Sequence, residues 1–221
     1  MRVICLLSLS VCPLLAQSFQ TVPLDPARMK LSNVKAEKVT YKGRPAIRLT
    51  DDGTPQTGDG SHVAVLTGTE FSDGIIEADL AGDRLPGAPE AVRGFDGIIF
   101  RSTPDGKRYE CFYLRPYNGR TEDQLQRNHS VQYISHPEFG WRKLREAFPG
   151  KYETYVDLVP GEWNKVRMEV KGDKARLYVN GAKQPTLIVN DLKHGASFKG
   201  ALGLFINSGV VAHFANLRVS Q

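Results

Sequence analysis

The sequence predicts an all-β fold, a two-sheet antiparallel jelly-roll sandwich with a short helix or two in its loops. Three observations carry this. About a dozen short runs alternate apolar with polar residues and are bounded by Gly, Asp and Asn. The dipeptides between them, Lys42-Gly43, Asp105-Gly106, Gly172-Asp173 and Asn180-Gly181, suit tight hairpin turns. No internal repeat, low-complexity tract or linker divides the chain, so one domain is expected over residues 17–221.

In chain order, Val34 to Tyr41 and Arg44 to Leu49 flank the first turn as a hairpin. Val63 to Leu66 follows a loop rich in Gly, Asp and Thr. Gly74 to Leu80 alternates from Ile76 onward, with Ile76, Ala78 and Leu80 on one face and Glu77 and Asp79 on the other. Further strands are expected at Gly94 to Arg101, Arg108 to Arg115, Ser130 to Ser135 and Tyr155 to Leu158. Trp163 to Val170, Ala175 to Val179, Thr186 to Val189, Gly200 to Ile206 and Val211 to Val219 complete the series. Trp163, Val166, Met168 and Val170 reach one core if a bulge follows Trp163. Two stretches break the rhythm. Thr121 to Gln124 has capping-box spacing, which predicts a short helix over Glu122 to Arg127. Phe139 to Tyr152 carries Trp141, Leu144 and Phe148 amid charges and reads as a helical turn or a long loop packed by its own apolar groups; long loops are often functional.

Residues 1–16 read as a secretory signal peptide: Arg2, then an apolar run from Val3, then the small-residue exit at Ala16. The run is shorter than the roughly 20 residues a membrane helix needs, and no later segment supplies a membrane span. The protein is therefore expected to be exported, to a periplasm or the medium. Cleavage would remove Cys5 and Cys12 and leave Cys111 alone, so the mature chain forms no internal disulfide and must rely on its core. Cys111 reads as a small buried hydrophobe. The net charge of +5 comes from 29 basic residues scattered among 24 acidic ones. Nucleic-acid binding would need a clustered basic face, so none is expected, whereas weak attraction to acidic polymers fits. The sequence carries no signal for oligomeric state.

The most specific pattern lies in the C-terminal third. Gly161-Glu162-Trp163-Asn164-Lys165-Val166-Arg167-Met168 is followed by Leu177-Tyr178-Val179-Asn180-Gly181, Gly200-Ala201-Leu202-Gly203-Leu204-Phe205 and Phe214-Ala215-Asn216-Leu217-Arg218-Val219. With Phe71 to Asp79 and Gly97 to Arg101, it resembles the concanavalin A-like lectin/glucanase superfamily, in particular the laminin-G-type jelly rolls. Within that superfamily it looks closest to exported bacterial domains of the 3-keto-disaccharide hydrolase type. The likeness runs from about Phe71 to Val219, and residues 103–160 are more individual.

The resemblance implies a ligand on the concave face of one sheet or on its rim. Alternation leaves Arg101 opposite Ile98 and Phe100, and Tyr113 and Arg115 opposite Phe112 and Leu114. A face with Glu77, Arg101, Tyr113, Arg115 and Gln132, and Asn118 in the adjoining turn, would suit a sugar, because planar polar groups grip paired hydroxyls. An ordinary solvated sheet face explains the same alternation. His129 and His136 titrate near neutrality and are candidate acid–base groups, or hydrogen-bonded structural histidines. The glucanase-type likeness also implies a test of mechanism. Retaining laminarinases use a strand bearing Glu-x-Asp-x-x-Glu; here Glu77-Ala78-Asp79 is followed by Leu80-Ala81-Gly82-Asp83, without the second Glu. No cofactor is evident. The laminin-G likeness would place a calcium ion, if one is bound, in the Asp51, Asp52 and Asp59 loop. Three functions fit: a carbohydrate-binding or accessory domain, a glycoside-acting hydrolase or lyase of the 3-keto type, or a structural surface protein without a small ligand.

Overall fold

Lys42 and Gly43 adopt left-handed backbone angles, φ 45° and 76°, and so close a tight hairpin between β3 (Val34–Tyr41) and β4 (Arg44–Asp51). The computed structural model describes residues 18–54 and 62–221, and the rest of the chain is built on the same alternation. Two antiparallel sheets result. The eight-stranded sheet runs β13 (Leu187–Val189), β12 (Lys174–Val179), β11 (Asn164–Lys171), β6 (Gly74–Arg84), β15 (Val210–Ser220), β4 and β3, with β1 (Gln20–Thr21) added to the end of β15. The seven-stranded sheet runs β10 (Glu153–Thr154), β9 (Val131–His136), β8 (Tyr109–Leu114), β7 (Asp96–Ser102), β14 (Ala201–Ile206), β5 (Val63–Leu66) and β2 (Met29–Ser32). The expected jelly-roll sandwich is what forms.

Between the sheets, Ile76, Ala78 and Leu80 of β6 meet Ile98, Phe100, Phe112 and Tyr133. The rings of Phe71, Phe100, Phe112 and Tyr133 make a chain of contacts 5.5–6.4 Å apart. The seven-stranded sheet is also covered on its outer face. Ile99, Cys111, Tyr113, Gln132 and Ile134 point away from that core yet are at most 2% exposed. Helix α2 (Trp141–Ala147) packs on β9, with Leu144 buried beneath it. The Thr103–Arg108 turn brings Gly106 so close that a Cβ there would lie 3.1 and 3.2 Å from methyls of Val65 and Val63. Strands buried on both faces lose the polar alternation that makes a strand legible.

Several expectations are corrected. Residues 155–158 are not a strand; Glu153–Thr154 pairs with β9 instead, while Tyr155 and Asp157 turn out to Arg127 and Arg120. Helix α1 (Gln124–Arg127) is capped by Asp123, whose carboxylate accepts from the amides of Leu125 and Gln126, and not by Thr121. β11 pairs with β6 without a bulge, so Asn164 takes the inward register with Val166, Met168 and Val170. Trp163 therefore lies on the outer side of the eight-stranded sheet, half-buried beside Tyr41 and Arg44. The bulges fall elsewhere. One is in β15 at Asn216, whose φ is 53°. The other is in β7, where Phe100 and Arg101 face only Leu202 of β14 and Arg101 has φ 52°. The expected signal peptide, residues 1–16, lies outside the described residues. Among the described residues no helix is long and apolar enough to cross a membrane.

Candidate functional site

Period-2 alternation puts Tyr113, Gln132 and Glu153 side by side on the outer face of the seven-stranded sheet, since Tyr113 pairs with Gln132 and Gln132 with Glu153. Arg115, one step beyond the end of β8, joins them. Its guanidinium donates to the Tyr113 hydroxyl (2.9 Å), the Gln132 side-chain oxygen (3.3 Å) and the His129 carbonyl (2.8 Å), and lies 4.0 Å from Glu153. It is 4% exposed and walled by the rings of Phe95 and Tyr113, each 5.0 Å away, and of Trp141 at 6.0 Å. Three of the expected ligand groups thus converge, but mainly on one another.

Chemistry concentrates at the edge of this cluster. His129 Nε2 stands 3.3 Å from a Glu153 oxygen, and that carboxylate is clamped by Arg145 through Nε at 3.0 Å and Nη2 at 2.7 Å. Burial lowers the His129 pKa; the Glu153 charge pulls it back up, and Arg145 and Arg115 press it down again. The ring is thus harder to protonate than a free imidazole, and it stands beside a carboxylate with two guanidinium groups close by. This arrangement can take up a proton and stabilise negative charge forming nearby. Asn118, also 4% exposed, donates to the His129 carbonyl at 3.1 Å and accepts from Gln126 at 3.2 Å, so it holds the histidine's backbone.

The structure does not bring the remaining residues here. Glu77 sits on the outer face of the other sheet, tied to Arg167 at 3.0 Å and to Arg218 through Nε at 2.7 Å. Arg101 is fully buried at one end of the sandwich. It donates to the carbonyls of Ser72 (2.8 Å), Gly172 (2.8 Å) and Gly195 (3.2 Å) and to Asp73 (2.8 Å). The β7 bulge swings it out of the expected face. His136 lies at the far end of β9 from His129, about 20 Å away at ~3.3 Å per strand residue, and stacks on Tyr109 at 5.0 Å. The two histidines cannot share a substrate atom. Asp51 accepts from the Gly53 and Gly209 amides and the Ser208 hydroxyl, and Asp52 accepts from the Thr54 amide. Asp59 is outside the described residues. Among the described residues no group of three or more His, Cys, Asp or Glu is placed to hold a metal ion.

Glu153, Arg145, Trp141 and Phe95 were not identified from sequence as parts of a site. The only signal was the break in strand rhythm over Phe139 to Tyr152, which brackets two of them.

Comparison with known proteins agrees with this architecture. Among solved structures, the carbohydrate-binding module CBM66 of Bacillus subtilis superposes with TM-score 0.55 at 15% identity, over 86% of this chain and 97% of that one. A galectin-like-fold protein of unknown function from Bacillus subtilis gives 0.52 at 13% identity, covering 85% and 88%. A putative glycosyl hydrolase from Parabacteroides distasonis gives 0.50 at 13% identity, covering 92% and 99%. At such identities the likeness is one of fold. No curated protein matches the chain significantly in sequence. A family model does match residues 31–220, nearly the whole described fold, and by that match the chain belongs to the 3-keto-alpha-glucoside-1,2-lyase-like domain family.

Proposed function

We propose that this domain cleaves 3-keto-α-glucosides by elimination, with His129 as the base. In such a sugar the C2 proton is acidified by the neighbouring ketone. His129 takes that proton, the C–H electron pair becomes the C1–C2 double bond, the C1–oxygen bond breaks, and the departing oxygen takes up a proton as the free alcohol. No oxidant, reductant or water is consumed. Arg145 and Arg115 supply positive charge for the enolate, and Glu153 fixes the imidazole and steadies its protonated form. Trp141, half-buried at the rim of the cluster, offers apolar surface to the sugar. The observation that carries the reading is His129 Nε2 held beside the Glu153 carboxylate, with the Arg145 and Arg115 guanidinium groups close by. We extend the proposal to an exported protein, on the strength of Arg2 and the apolar run through Ala16.

A second reading, non-catalytic carbohydrate binding, is favoured by one observation. Tyr113, Arg115 and Gln132 already satisfy one another, so a sugar would meet the Trp141 and Phe95 edges rather than the polar centre. One assay separates the two. Purified protein is given a 3-keto-α-glucoside, and the released alcohol and unsaturated ketose are followed. A positioned base typically contributes about 10²–10⁴-fold, so His129→Asn should lose at least ~100-fold in kcat while melting like the wild type. Wild-type binding without product supports the binding module; full activity in His129→Asn removes the histidine from the mechanism.

A further inference from the structure

Beside the His129 cluster lies a groove of about 680 Å³ whose walls include Arg84, Arg93, Arg120, Tyr117, Gln126 and Glu90. That volume falls within the range of about 300–1,000 Å³ usual for small-ligand sites. The groove is tied to the cluster by a short relay. Gln126 donates to Asn118, and Asn118 donates to the His129 carbonyl. Pro116, also on its wall, directly follows Arg115.

The charges of this groove are only partly balanced. On the outer face of the eight-stranded sheet, Arg44, Arg48, Arg167 and Arg218 each meet a carboxylate. In the groove, Arg120 is paired in two-point fashion with Asp157. Arg84 and Arg93 have no carboxylate partner among the described residues. Arg84 donates to the carbonyls of Val92 and Glu90, both at 2.6 Å, and its guanidinium lies flat enough on Tyr117 to sit 3.7 Å from the ring centre. Among the described residues the Arg93 side chain makes one hydrogen bond, to the Glu90 carbonyl at 3.2 Å. Backbone carbonyls orient a guanidinium without neutralising it. On the same side, Arg127 contacts the Tyr155 hydroxyl and Arg142 lies over Trp141, again without a carboxylate partner among the described residues. Among the described residues Glu90, exposed and without an ion-pair partner, is the one acidic side chain on the groove wall. Arg84 has its Nε and Nη2 engaged and contributes Nη1 and its charge, while Arg93 uses only Nη1 among the described residues; such a guanidinium suits a planar carboxylate or a sulfate.

We propose that the leaving group of the substrate is an acidic sugar unit, and that its anionic group is held in this groove by Arg93 and Arg84. The inference rests on the elimination reading for its placement of the reacting bond at His129. Its chemistry deepens that reading: a 3-keto-α-glucosyl unit linked to a uronate or to a sulfated sugar.

The test uses three 3-keto-α-glucosides that differ only in the leaving unit: glucose, glucuronate, or glucose 6-sulfate. The expected result is a kcat/KM at least ~10-fold higher for an acidic leaving unit, the size of one charge-assisted contact. The preference should shrink at 0.5 M salt, where the screening length is only a few ångströms. Arg93→Gln should abolish most of the preference. Which acid gains more tells carboxylate from sulfate. Equal turnover of all three, or a preference untouched by Arg93→Gln, overturns the inference and leaves the elimination reading standing. If no substrate is cleaved, the elimination reading fails, and titration of a glucuronate-terminated disaccharide into the full chain decides the groove. Binding that Arg93→Gln weakens at least ~10-fold supports the groove, and binding indifferent to the substitution overturns it.

Discussion

Replacing Arg101 by Met tests the assignment of this residue to architecture rather than to ligand binding. Its side chain is fully buried and makes four hydrogen bonds to three separate turns: Ser72 and Asp73 before β6, Gly172 in the β11–β12 hairpin, and Gly195 before β14. Methionine fills most of the space and removes every donor. The Ser72, Gly172 and Gly195 carbonyls then lose a charged partner, at about 1–3 kcal/mol for each acceptor left unsatisfied. Asp73 is half exposed and regains water, so its share is near the 0–1 kcal/mol of a surface pair. Losses within one network are not additive, which puts the total at about 3–5 kcal/mol, in line with breaking a buried ion pair. Against a typical total of ~5–15 kcal/mol, that is a large fraction of stability. Urea unfolding followed by tryptophan fluorescence gives the difference directly. Arg101→Lys, which keeps the charge but not the four-point fork, should fall between. A midpoint shift worth less than about 0.5 kcal/mol for Arg101→Met would refute the staple.

Two further predictions concern pH, and they run in opposite directions. Asp96 is fully buried against Gly82, and burial holds its carboxyl protonated well above the usual range, the amides of Gly82 and of Asp96 itself offsetting only part of this. Its folded pKa exceeds the unfolded one, so the stability this brings is complete in acid and is lost as pH rises above about 4 toward the folded value; Asp96→Asn should raise the melting temperature at pH 8 and change little at pH 4 in thermal scans, and equal shifts at both would defeat it. His213, stacked 3.6 Å from Tyr41, is pushed down to about 4 chiefly by burial, so the folded state resists its protonation. Stability should fall as pH drops from about 6.5 toward 4, by on the order of 1–3 kcal/mol, and His213→Phe should flatten that part of the curve measured by urea midpoints.

The hairpins were legible because local chemistry dictates them: Lys42-Gly43 and Asn180-Gly181 each place two residues in the left-handed region, and nothing distant is needed. The face shared by Tyr113, Arg115 and Gln132 was legible for a similar reason, since a period of two survives as long as strands stay in register. Arg101 was misplaced because a single bulge resets that period, and a bulge has no sequence signature beyond an arginine that turns out to be left-handed. Glu77 was misplaced on a different ground. Alternation separates the two faces of one strand but does not say which sheet the strand joins, and β6 lies in the sheet opposite β7, β8 and β9. Trp163 was read as core because the aromatic ring outweighed its neighbour; Asn164 faces inward instead, its amide satisfied by the Glu162 carbonyl and the Asn180 side chain. Glu153, Arg145 and Trp141 come from a segment without periodicity, where only tertiary placement reveals that a carboxylate meets His129.

The strand order of the larger sheet has a consequence for how the protein is made. β15 lies between β6 and β4, so the β3–β4 hairpin joins the other strands of its sheet through residues 210–220. A ribosome-bound chain that stops short of Val210 has two sheet fragments and an unsealed gap, with Ile47, Leu49 and Leu80 unprotected. Closure of this sheet must await residues 210–220, and contacts so distant in sequence form slowly. The larger sheet therefore cannot be completed before that strand is available, and deleting residues 210–220 would separate the β3–β4 hairpin from β6, β11, β12 and β13.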